Sequence, residues 1–130
     1  MAPTRVTVSQ RDGFTNAVYA RTHELTSDEP ADIGGADQGM TPWELVLAGM
    51  GSCTAITVQM YASRKEWDLK GVEVTLERDG DSGTVTMNVD IAGEFDEAQQ
   101  ARLSQVAERC PVVKAIKAGV PVEKNVSFHG

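Results

Sequence analysis

Cys53 and Cys110 are the residues of this chain best suited to covalent chemistry. A thiolate is a nucleophile, and a second thiol within reach can resolve an oxidised first one as a disulfide. The two stand 57 positions apart. That is too far for a CxxC zinc or thioredoxin motif, and two cysteines are too few for a disulfide-dense secreted scaffold. With His23 and His129 they make no recognisable metal-ligand spacing. Cys53 lies inside a long uncharged stretch, where a thiol is also a good small core residue and resists ionisation. Cys110 precedes Pro111 and can cap the helix that Pro111 opens. Backbone N–H groups and the helix field would then favour its thiolate. Alternatively it continues the apolar seam of Leu103 and Val106.

A reactive Cys53 needs a cation, and none lies between Leu45 and Ala62. Arg11, at a predicted hairpin turn, is a candidate. His23 is a candidate base on a strand end. Glu44 precedes Cys53 by nine positions, about 13.5 Å along a straight helix and about half a turn out of phase, so direct contact along that helix is excluded. Glu44 also has a structural occupation, because Thr41-Pro42-Trp43-Glu44 reads as a capping box with proline at the first helical position.

Thr4–Gln10 and Phe14–Thr22 alternate around Arg11-Asp12-Gly13 and predict a hairpin. Residues 26–40 carry no period and form a glycine-rich acidic loop, which is either functional, as loops of this length often are, or a solvated connector. A helix opens at Thr41 and leaves the core at Ser63-Arg64-Lys65-Glu66. Its stretch from Leu45 to Met60 lacks a polar stripe, and Gly49, Gly51 and Ser52 allow another backbone to come close. It should be buried, in the domain or against a second subunit. Trp43, Leu47, Met50 and Met60 are candidate apolar walls for a site beside Cys53. Lys70–Leu76 and Val85–Ile91 alternate on either side of a turn and predict a second hairpin. Asp96 caps a second helix, Cys110-Pro111 interrupts it, a short helix runs from Val112 to Ala118, and a last strand is expected from Val120 to Phe128. The order is that of a single two-layer α+β domain over residues 1–130, with antiparallel hairpins packed around the central helix.

The chain has 130 residues, 19 acidic and 12 basic, for a net charge of −7. The acidic balance argues against nucleic acid or an anionic membrane as partner. No unbroken run of 18 apolar residues is present and no signal core follows the start, so a cytoplasmic location is expected and no membrane span.

The segments Gly34-Gly35-Ala36-Asp37-Gln38-Gly39-Met40-Thr41-Pro42-Trp43-Glu44-Leu45, Gly49-Met50-Gly51-Ser52-Cys53-Thr54-Ala55 and Cys110-Pro111-Val112 resemble the OsmC/Ohr family of osmotically inducible and organic hydroperoxide resistance proteins. The resemblance implies an intertwined homodimer with sites at the subunit interface and no metal or cofactor. It implies thiol-dependent reduction of an organic hydroperoxide, with Cys53 peroxidatic and Cys110 resolving, and a lipoyl-bearing or other dithiol reductant. Arg11-Asp12-Gly13 matches the arginine hairpin that activates the thiolate in those peroxidases. Where they carry a glutamate directly after the proline, this chain has Trp43, with Glu44 one place later. That pattern is closer to the OsmC-like branch, for which a small-molecule-binding or stress role with little turnover is the alternative.

Overall fold

The computed structural model describes residues 3–130. Two compact units divide the chain, one up to Ala48 and one from Gly49.

In the first unit, β1 (Thr7–Asp12) and β2 (Thr15–Ala20) form the expected hairpin, turned at Gly13 with φ +56°. Only glycine takes that backbone freely. The register slips between Gln10, which faces Asn16, and Asp12, which faces Thr15. Arg11 is therefore the extra residue of a bulge, a device that re-aims a side chain. A third strand, β3 (His23–Ser27), pairs antiparallel with β2 and makes β2 the centre of a three-stranded sheet. Sequence periodicity does not reveal β3, because Leu25 is its one aliphatic residue. Its register rests on the tight turn at Arg21, whose φ is +57°.

The acidic loop is not a solvated connector. Asp28 is buried, with 2% of its surface exposed. One carboxylate oxygen accepts from the Thr15 hydroxyl at 2.7 Å and the Gln38 N–H at 3.2 Å. The other accepts from the N–H groups of Glu29 at 2.8 Å and Ala36 at 3.4 Å. The loop thus folds around a single charge, and two glycines let it do so. A Cβ on Gly35 would stand 1.9 Å from the Glu29 carbonyl oxygen, and one on Gly39 would stand 2.1 Å from that of Thr26. A short 3-10 helix (Ala31–Ile33) completes the loop.

The next helix, α1 (Pro42–Lys65), begins at the capping box: the Thr41 hydroxyl accepts from the Glu44 N–H at 3.1 Å, and the Glu44 carboxylate accepts from the Thr41 N–H at 2.7 Å. It continues into the second unit. Its burial is one-sided rather than complete. Met50, Gly51, Thr54, Val58 and Ala62 are buried, whereas Val46, Ile56 and Met60 are 41%, 49% and 48% exposed. By length and composition alone α1 also meets the requirement for a membrane-spanning helix, which an unbroken-run criterion misses.

The second unit holds the hairpin of β4 (Leu69–Arg78) and β5 (Val85–Gly93), which pairs Val72 with Ile91, Val74 with Val89 and Leu76 with Met87 on one face. The Asp79 carboxylate shapes the turn by accepting from the Asp81 and Ser82 N–H groups at 2.8 and 3.1 Å. Gly51 of α1 lies so close to β4 that a Cβ there would come 2.8 Å from the end of Leu76. Helix α2 (Glu97–Ala107) carries a capping box of Asp96 with Gln99 and drives Leu103 and Val106 into the core. Helix α3 (Pro111–Ala118) follows, capped by Cys110.

The strand expected from Val120 to Phe128 does not form: residues 119–130 have no regular structure. Alternation makes a strand only where a sheet edge receives it. Val122 and Phe128 stand 80% and 92% exposed. The fold is otherwise the expected α+β, with two small antiparallel sheets and three α-helices among the described residues.

Asp28 gives this fold a pH signature. Thr15, outweighing the cost of burial together with three backbone N–H groups, holds its carboxyl below the usual range. A depressed native pKa contributes stability that is complete above the unfolded value near ~3.9 and is lost as pH falls through the native one. D28N should therefore lower the urea midpoint at pH 7, and its difference from wild type should shrink as the pH is brought below ~3.9. Urea titrations at pH 7 and in acid check both halves.

Candidate dithiol site

Cys53 sits mid-way along α1, immediately before the buried Thr54, and is partly exposed. Cys110 is 1% exposed. Its sulfur caps α3, accepting from the Val113 N–H at 3.4 Å, and Pro111 fills the first helical position. The two thiols are near enough for each to shift the other's ionisation. Both belong to the second unit, so one chain brings them together.

Their surroundings treat them oppositely. Burial, more than anything else, raises the Cys53 thiol; its contact with Cys110 raises it further, against the Val112 N–H and Thr57. Burial also acts to raise Cys110, but Cys53, the Val113 N–H that donates to its sulfur, and the nearby Thr54 and Val112 outweigh it, and the net direction is down. Within the pair, Cys110 is thus the easier thiol to ionise and Cys53 the harder. Capping contributes to the difference, because the Val113 N–H of α3 donates to the Cys110 sulfur.

Thr54 and Thr57 are the residues sequence reasoning missed. Thr54 donates to the Met50 carbonyl at 3.0 Å and approaches the Met87 sulfur at 3.6 Å, and Thr57 donates to the Cys53 carbonyl at 2.7 Å. The signal was available: hydroxyl side chains at one and four positions after a cysteine in an otherwise apolar helix.

Arg11 and Glu44 belong to the first unit. Arg11 projects from its bulge, donates to the Tyr19 hydroxyl and lies 5.7 Å from the Tyr19 ring centre. Glu44 completes the capping box, as its spacing predicts. Among the described residues, no group of three or more His, Cys, Asp or Glu is placed to hold a metal ion.

A cavity of about 550 Å³ opens in the second unit, lined by Met50 and Thr54 of α1, Met87 and Ile91 of β5, and Val113 and Lys114 of α3. Val113 donates to the Cys110 sulfur and Thr54 follows Cys53 directly, so the cavity lies beside the two cysteines. Of the four apolar walls expected from sequence, Met50 lines it; Trp43, Leu47 and Met60 do not. Much of the rest of the wall comes from the inward face of β5, whose alternation reads as ordinary sheet packing, and from α2 and α3.

The pair predicts a measurable asymmetry. C110S removes the negative neighbour that raises Cys53. The pH profile of Cys53 alkylation by iodoacetamide should move to lower pH in C110S. A profile unchanged from wild type would show that the sulfurs do not interact.

Comparison with known proteins follows the geometry. No curated protein matches the sequence. Among solved structures, the chain resembles a protein from Psychrobacter arcticus 273-4, described as a candidate osmotic stress induced and detoxification response protein (TM-score 0.73, 23% identity, covering 88% of this chain and 89% of that one). It resembles the OsmC-like protein of Mycoplasma pneumoniae (TM-score 0.68, 18% identity, 92% and 89% covered). It also resembles an organic hydroperoxide resistance protein OsmC of Legionella pneumophila (TM-score 0.61, 21% identity, 90% of each chain). At these identities the likeness is one of fold. Residues 34–125 match the family described as OsmC-like protein, a span that holds the acidic loop, all of α1 and both cysteines. The chain belongs to the OsmC-like protein family.

Proposed function

We propose that this protein reduces organic hydroperoxides with Cys53 as the attacking and Cys110 as the resolving thiol. The observation that carries the reading is the contact of a partly exposed sulfur with a buried, helix-capped one. Cys53 passes its proton to the Cys110 thiolate and attacks the terminal oxygen of RO–OH. The O–O bond breaks, an S–O bond forms, and the leaving alkoxide takes the proton back from Cys110 to depart as ROH. Cys110, again a thiolate, attacks the Cys53 sulfenic sulfur; a disulfide forms and hydroxide leaves, to be protonated by solvent. A dithiol reductant, lipoyl-bearing or otherwise, returns the pair to its reduced state by exchange. The aliphatic and methionine part of the cavity lining supports an organic over an inorganic peroxide.

Cys53 is the thiol that burial makes harder to ionise, so its activation asks for a cation. Arg11 is our candidate, re-aimed by its bulge and matching the arginine hairpin of the peroxidase members. Glu44 acts indirectly, by fixing the start of the helix that carries Cys53. The half-uncovered face of α1, with Val46, Ile56 and Met60 exposed beside Gly49 and Ser52, supports a homodimer as the working form. We read residues 1–130 as one domain, since the family match runs through both units, and the cytoplasm as its place of action.

The raised Cys53 thiol also supports a second reading: a protein that binds an apolar small molecule in the cavity and turns over little. One equivalent of cumene hydroperoxide separates the two. The peroxidase reading predicts loss of two hydrogens per chain and a Cys53–Cys110 peptide on non-reducing mapping. C53S should consume no peroxide, and R11A should react about a hundredfold more slowly. Intact thiols with unconsumed peroxide would overturn it in favour of binding. Sedimentation at low micromolar concentration should give about twice the 14.0 kDa chain mass.

A further inference from the structure

A second cluster of polar side chains lies in the second unit, away from the cysteines in composition and in charge. Tyr61 stands two turns beyond Cys53 on α1. Arg102 of α2 donates from Nε to the Tyr61 hydroxyl at 2.8 Å and from a terminal nitrogen to Gln105 at 3.1 Å. The Arg102 guanidinium carbon is 5.3 Å, and the Lys65 Nζ 5.8 Å, from the Tyr61 ring centre. The charge of Arg109 also falls on the phenol. Trp67 closes one side, edge-on to Tyr61 at 5.6 Å.

Three cations around one phenol repel one another, and a chain with 19 acidic and 12 basic residues has ample carboxylates to relieve them. It does not use them: among the described residues no carboxylate stands within 4.0 Å of Lys65, Arg102 or Arg109. Helix C-termini attract cations by themselves, which explains Lys65 and Arg109 singly. That does not explain Arg102, which sits inside α2 and spends its hydrogen bonds on two neutral partners. Lys65 and Arg109 are exposed and Tyr61 and Arg102 half-buried, so the cluster is open to solvent.

We propose that Tyr61, Arg102 and Lys65, with Arg109 beside them, bind a phosphate group. The guanidinium offers a fork of donors, the ammonium a mobile point charge, and the phenol an O–H that Arg102 leaves free to donate. A carboxylate brings one charge and two oxygens, and leaves most of this cluster unmatched. A phosphate brings nearly two charges and three acceptor oxygens. The source is either the free ion or the phosphoryl end of a small ester.

The test is a titration of the full-length reduced protein, followed by the NMR signals of the Trp67 indole N–H and the Arg102 Nε–H. Inorganic phosphate, methyl phosphate, acetate and chloride are compared at constant ionic strength. Saturable shifts with phosphate or methyl phosphate, and not with chloride, support the site; the tighter of the two tells free ion from ester. R102Q, and independently the surface variants K65Q and R109Q, should each weaken binding, by about tenfold for R102Q, which loses a charged hydrogen bond. Equal shifts with chloride, saturation by acetate alone, or wild-type binding by all three variants would overturn the assignment.

Discussion

The cost of ionising a thiol on an uncharged helix governs the rest of this molecule. From Leu45 to Ala62 the chain supplies no charge, so Cys53 is held in its neutral form by desolvation. Its neighbour is a second sulfur that raises it further, while α3 makes that second sulfur the easier of the two to ionise. Pro111 breaks the chain after α2, frees the N–H groups of a new helix, and leaves Cys110 as the side chain that receives them. The dithiol is therefore built from two local rules, an apolar helix and a helix cap, brought into register by packing.

That packing depends on close approach. Gly51 lets α1 sit on β4 without the Cβ that would meet Leu76, and Thr54, next to Cys53, is the point where helix, sheet and Cys110 converge. The same layer leaves the cavity lined by β5. Cavity and dithiol arise from one arrangement, which, on the proposed reading, ties the choice of an apolar peroxide to the position of the resolving sulfur.

Much of this was legible in the sequence, because its signals are local. Thr41 and Glu44 announce a helix start through their spacing, Pro111 a break, and the two alternating runs around Asp79 a hairpin. What escaped was non-local. β3 carries a single aliphatic residue and owes its existence to the edge that β2 presents. The acidic loop owes its order to Asp28, a charge whose four hydrogen-bond donors are scattered from Thr15 to Gln38. The tail from Val120 has a strand-like alternation yet no strand, since alternation states which faces differ and not whether a partner edge exists. Cys53 and Cys110 could be picked out by type, but 56 intervening residues neither predict nor forbid their contact. The wall of the cavity was missed for the same reason: β5 residues far from Cys53 in sequence supply it.

The central claim is that a single chain holds both sulfurs ready to join. The direct measurement is the rate at which the disulfide closes after a peroxide pulse, followed over a wide range of protein concentration with a mixture of isotope-labelled and unlabelled chains. The account predicts a first-order rate constant that does not change on dilution, and Cys53–Cys110 peptides that are wholly labelled or wholly unlabelled. Closure that slows in proportion to dilution, or peptides that join a labelled Cys53 to an unlabelled Cys110, would contradict it.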